Sequence, residues 1–195
     1  MTVRFDRLHS RSISLRDRYL PEKPNEIGDY SEEQQDDARA CILLVHAEVE
    51  SYLEELAEEL CAHVGELIAK EHYDSLTSSF LYFYGARTNE IKDVKSLEDV
   101  AKGAVALHGR VLHGNNGIKS KDILKMFNPF FVGGIDLGAS LEQALDSFGA
   151  LRGKCAHSSF IGISEDINCY EIREQVNCLL SHLRRFDSRF NDYAL

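Results

Sequence analysis

The chain has little that would interrupt a helix. Three prolines, Pro21, Pro24 and Pro129, are spread over 195 residues, so long helices can run without losing a backbone donor. No apolar run approaches the roughly 20 residues needed to span a bilayer. The opening stretch MTVRFDRLHSRSISLRDRYL lacks an apolar h-region, which excludes a secretory signal. It is rich in Arg and Ser, but Asp6 and Asp17 argue against a mitochondrial transit peptide. The five cysteines, Cys41, Cys61, Cys155, Cys169 and Cys178, form no C-x-x-C pair. An odd count at irregular spacing describes neither a disulfide framework nor a zinc knuckle. Reduced thiols in a cytoplasmic protein are expected. Also absent are sustained period-2 alternation, internal repeats and low-complexity tracts. The patterns G-x-x-x-x-G-K-[ST] and G-x-G-x-x-G do not occur, so Gly133-Gly134 is no phosphate loop and no cofactor is implied.

Apolar residues make up 44% and charged residues 28% of the chain, enough for a real core. The length suits one domain. The net charge of −10 opposes indiscriminate binding to nucleic acid. It is unevenly spread: residues 26–99 hold 5 basic and 19 acidic side chains, whereas 100–160 hold 7 basic and 4 acidic. The middle of the chain is therefore locally positive.

The spacing predicts an all-α fold. A short helix over about 6–19 and a Pro-containing loop form an N-terminal extension, residues 1–30, ahead of a helical domain, 31–195. Ser31-Glu-Glu-Gln34 is a capping box. It opens a long helix, about 31–70, with apolar positions 41, 45, 49, 52, 56, 60, 64 and 67 on one face. Its glutamates take the solvated faces. The aromatic stretch Ser78–Tyr84 suits a short helix or an extended segment equally. Ser96 caps a helix carrying Val100, Ala104, Leu107 and Val111, which His113-Gly-Asn-Asn-Gly117 breaks. Ser120 caps a short helix, about 121–127, that Pro129 closes. Gly133, Gly134 and Gly138 make the next loop mobile or tight. Ser140-Leu-Glu-Gln143 starts a further helix, ended by Ser158-Ser159 and Gly162. A last helix, about 166–190, carries Tyr170, Arg173, Val176, Leu180, Leu183, Phe186 and Phe190 at helical spacing.

On the helix beginning at Ser140 the apolar stripe is Leu141, Ala144, Leu145, Phe148 and Cys155. Arg152 falls inside it, within about 40° of Leu145 and Phe148. A guanidinium stays charged, so something must meet it: a carboxylate such as Glu48 or Glu50, a subunit interface, or an anion. His157 lies about 140° round the same helix. The two converge if the chain turns at Ser158, or if two copies meet across a dimer. The helix C-terminus favours a protonated imidazole, which suits acid–base work near neutrality. Elsewhere, His108 and His113 flank Arg110 and either lie on the surface or line a nucleic-acid path. Lys119, Lys121, Lys125 and Lys154 either contact phosphates or occupy a solvated face. Cys178 and His182, at i, i+4, lack a third ligand, and no metal site is expected.

Leu151-Arg-Gly-Lys-Cys-Ala-His157-Ser resembles the R-x(4–6)-H motif of the HEPN superfamily. The helix Ala40–Leu53, the segment His113–Lys121 before a short helix, and the late motif helix followed by a final amphipathic one are similar to the RiboL-PSP-like HEPN ribonucleases. The resemblance covers about residues 31–190. It implies an antiparallel helical bundle with short extra helices. The implied activity is a metal-independent endoribonuclease that cleaves single-stranded RNA by 2′-OH attack at a composite site of a homodimer. Arg152 and His157 would be catalytic, with Glu50 and Ser158 supporting them. Lys119, Lys121, Lys154 and Arg110 would contact RNA. A toxin or defence role, with a cognate antitoxin or other regulatory protein, goes with that reading. One position departs from the family pattern: Gly153 stands where a polar residue, often Asn or Asp, usually follows the Arg. That departure favours the alternative, a non-catalytic HEPN module binding RNA, a nucleotide or a protein.

Overall fold

A computed structural model describes residues 2–24, 30–85, 87, 96–157 and 167–193, with the backbone alone for His157 and for 192–193. The described residues contain no strand. The helices are α1 (Val3–Tyr19), α2 (Glu32–Ala69), α3 (Ser75–Gly85), α4 (Leu97–His113), α5 (Ser120–Phe127), α6 (Ala139–His157) and α7 (Cys169–Asp187). Short 3₁₀ segments, Asn128–Phe130 and Ser188–Tyr193, follow α5 and α7.

Several local signals act as expected. The Ser31 hydroxyl accepts the Gln34 N–H at 3.3 Å, while the Gln34 side chain takes the Ser31 N–H at 3.0 Å. This reciprocal box holds two donors at the start of α2. Ser96 accepts from the Asp99 N–H and caps α4. Of the eight apolar positions on α2, seven are buried and Leu67 is half-buried. The ambiguous aromatic stretch is helical, because Asp74 caps it through the Thr77 N–H at 2.8 Å.

Other signals act differently. Ser140 is not a cap: α6 already begins at Ala139, after Gly138 at φ 76°. The Gly138 carbonyl takes the N–H groups of Leu141 and Glu142 instead. Ser120 is the first residue of α5, and its hydroxyl is spent on Asp146 of α6. The cap of α7 is Asn168, which accepts from Tyr170 and Glu171. Tyr170 itself is exposed rather than on the inward stripe. Gly133 and Gly134, at φ 81° and 87°, form a tight turn that most side chains would strain. The segment assigned to ending α6, Ser158-Ser159 and Gly162, lies outside the described residues.

The chain divides into two compact units. The first comprises Met1–Tyr52, Gly117–Ser120 and Leu137–Asp192. In it, α7 packs against both α1 and α6. Phe5, Leu8 and Leu15 of α1, Val45 and Val49 of α2, Leu145 and Phe148 of α6, and Leu179 and Leu183 of α7 are buried. Asp187, fully buried, accepts from the Tyr52 hydroxyl at 3.0 Å, the Thr2 hydroxyl at 2.7 Å and the Thr2 N–H at 3.0 Å. Thr2 in turn caps α1 through the Phe5 N–H. Replacing Asp187 by Ala is expected to cost about 2–4 kcal/mol, because the donors it satisfies lose their acceptor in the interior. Urea unfolding of Asp187→Ala beside wild type measures this; a loss under about 0.5 kcal/mol would show the node to be dispensable.

The second unit comprises Leu53–Asn116, Lys121–Asp136 and Tyr193–Leu195. Its centre is aromatic. Phe80 and Phe130 stack with ring centroids 5.2 Å apart, and His108 stands edge-on to both. His108 is fully buried, with Nδ1 2.9 Å from the Tyr84 hydroxyl. It is therefore a core residue and lines no nucleic-acid path. Helical spacing sets it about 40° from Ala104, at the edge of the apolar face, and the ring cluster draws it inside.

Candidate functional site

Arg152 sits in the last two turns of α6, half-buried, as its place in the apolar stripe requires. Its electrostatic neighbour is His46 of α2. His46 is 3% exposed, and burial, with the charge of Arg152 adding to it, pulls its pKa down to about 4. At neutral pH His46 is therefore a neutral imidazole. Glu50, one turn along α2 and 20% exposed, has its carboxylate 3.7 Å from His46 Nδ1. That is too long for a hydrogen bond, and with the imidazole neutral it is a polar contact rather than an ion pair. Glu48, the other carboxylate considered for Arg152, is engaged by Arg11 at 3.1 Å. Among the described residues no carboxylate lies within 4 Å of the Arg152 guanidinium. A half-buried cation whose electrostatic neighbour is a neutral ring, with no described carboxylate at contact distance, is suited to an anion.

The remaining candidates divide. Lys119 and Lys154 belong to the same compact unit as Arg152; Lys119 is half-buried and Lys154 exposed. Arg110 and Lys121 are exposed residues of the second unit. The backbone of α6 stays helical through His157, so the chain does not turn before that residue. The side chain of His157, and all of Ser158, lie outside the described residues. Cys178 is exposed and His182 half-buried on α7. Among the described residues no three His, Cys, Asp or Glu side chains group as metal ligands.

Sequence reasoning gave His46 no role, although it lies in the Ala40–Leu53 helix. The available signal was its position between Val45 and Val49 on the inward face, with Glu50 four residues on. Spacing alone could have shown that pair; nothing in the sequence brought it to Arg152.

The RiboL-PSP-HEPN family model matches residues 6–192. No curated protein and no solved structure matches the chain. No helix among the described residues is long and apolar enough to cross a membrane.

Proposed function

The chain belongs to the RiboL-PSP-HEPN family, and from that premise we propose that it is a metal-independent endoribonuclease acting on single-stranded RNA as a homodimer. The observation that carries this is Arg152: a guanidinium set into α6, with His46 neutral beside it and no described carboxylate within 4 Å. In this reading Arg152 holds the scissile phosphate and stabilises the charge that builds on it in the transition state. His157 moves the proton, as base on the 2′-OH or as acid on the leaving 5′-oxygen. Attack by the 2′-OH leaves a 2′,3′-cyclic phosphate on one fragment and a free 5′-OH on the other. A neutral His46 matters here, because a second fixed positive charge behind Arg152 would raise the cost of keeping the guanidinium half-buried. Detection of cyclic-phosphate ends on RNA incubated with protein and chelator tests the chemistry; DNA, which lacks the nucleophile, stays intact.

A dimer is supported by the outer face of α2. Leu43 and Leu44 are 37% and 38% exposed, and Ala40 and Ala47 flank them at helical spacing. Such an apolar strip on the helix that carries His46 and Glu50 fits a two-fold contact that brings two motifs together, with α6 at the interface. Light scattering on the eluted protein at tens of micromolar is expected to give twice the chain mass. Leu43→Asp with Leu44→Asp is expected to give the chain mass and to lose cutting. A wild type that is monomeric yet cuts RNA would remove the composite site.

Gly153 supports a second reading, a HEPN module that binds without cutting. Among the described residues, a Cβ at Gly153 would meet nothing within 4 Å, so the polar group usual in the family is missing although no described atom crowds its place.

A further inference from the structure

We infer that Lys119 contacts a phosphate of the RNA strand beside the one held by Arg152, and that a latch between residues 117–120 and α6 sets it there. The inference rests on the ribonuclease reading and adds to it a positioning device. Ser120 donates twice to Asp146: its N–H to Oδ1 at 2.8 Å and its hydroxyl to Oδ2 at 3.0 Å. One turn along α6, Gly149 is buried. A Cβ built there would stand 2.9 Å from Lys119 Cγ, 3.5 Å from its Cε and 3.7 Å from Ile118 Cγ1. The lysine stem thus lies across the glycine, in space that any other residue would fill. Ser120 over Asp146 and Lys119 over Gly149 means that this segment runs antiparallel to α6, with Lys119 on the side nearer the motif end. Arg152 and Gly153 are the i+3 and i+4 neighbours of Gly149 on that helix surface.

The charge completes the argument. Among the described residues no carboxylate lies within 4 Å of the Lys119 ammonium. Asp146, the nearest acidic side chain along the helix face, is occupied by Ser120. An ammonium whose stem is already held loses less side-chain freedom when it binds an anion than a free surface lysine does. Lys121, two residues on, is exposed. Gly149 matters as a cradle, since any Cβ there would push the lysine stem away.

Lys119→Met removes the charge and keeps most of the stem. Its binding is measured with a 2′-O-methylated single-stranded RNA, which internal attack cannot cut. The expected result is an affinity lower by about 3- to 10-fold near 0.1 M salt, and a plot of log Kd against log salt shallower by about 0.7, the signature of one lost phosphate contact on a single strand. In cleavage, KM is expected to rise more than kcat falls, because the lost contact is to the bound strand and not to the reacting atoms. Lys119→Arg is expected to keep both affinity and slope. Gly149→Ala, with Lys119 intact, should lose affinity as Lys119→Met does, and the double variant should lose no more than either alone. If Gly149→Ala fails to fold by circular dichroism, Lys119→Met decides the matter. A wild type that binds and cuts RNA while Lys119→Met keeps the same affinity and salt slope overturns this proposal and leaves the ribonuclease reading standing. A wild type that neither binds nor cuts RNA removes both.

Discussion

In the presence of chelator, Arg152→Ala and His157→Ala are each expected to lose cutting of single-stranded RNA while the protein keeps its helical content and its oligomeric state. The two side chains serve one transition state in different ways. Removing a proton-transfer partner typically costs about 10²- to 10⁴-fold, and removing a charge stabiliser a similar amount. The losses should not add, since each acts only while the other is present. Loss of Arg152 should not unfold the protein, because no described carboxylate pairs with it to be left buried. Gly153→Asn is expected to raise activity, since a Cβ there meets no described atom within 4 Å and the position would regain the polar neighbour usual in the family. The measurement is fragment yield with time at high enzyme, with end-group analysis. A His157→Ala variant that cuts as fast as wild type sinks the assignment. A wild type inert on varied RNAs leaves the binding module as the better reading.

Acid is expected to destabilise both compact units. His46 in the first and His108 in the second are buried, and burial is the leading cause that brings each pKa down from 6.5 to about 4. Between these values the unfolded chain binds a proton that the folded chain refuses, so stability rises with pH across that window. It is fully present above about pH 6.5, and falls as pH drops towards about 4, below which these two groups take no more away. Each shift is worth about 3 kcal/mol over the whole window. Together they are comparable with the 5–15 kcal/mol that stabilises an ordinary domain. Urea unfolding followed from pH 7.5 to 4 should show the loss. His108→Phe, which suits the aromatic cluster, should flatten the pH dependence of the second unit, although it gives up the bond to Tyr84. If the midpoint in urea stays level between pH 7 and 4.5, the two imidazoles are not held neutral as described.

The sequence by itself determined the helices other than α3, because helix formation depends on signals within a few residues of one another. The Ser31 box, the Ser96 cap and the apolar repeat of α2 are local chemistry, and each acts in the fold as its spacing implies. The family, too, was legible in linear order, from the motif at the end of the penultimate helix and the elements before it. The same locality explains the misreadings. Ser140 and Ser120 have a capping residue's chemistry, but Gly138 already turns the chain into α6, and Asp146, 26 residues from Ser120, takes its hydroxyl. His108 looked like a surface histidine until Phe80, Tyr84 and Phe130 closed around it. What only the tertiary structure decided is which groups share a dielectric. His46 is neutral because packing removes its water and Arg152 stands beside it, Glu48 is taken by Arg11, and Gly149 is the floor under Lys119. Such pairings join residues far apart in the chain, and no periodicity within one helix reports on them, because pattern records which side of a helix faces inward and not what it meets there.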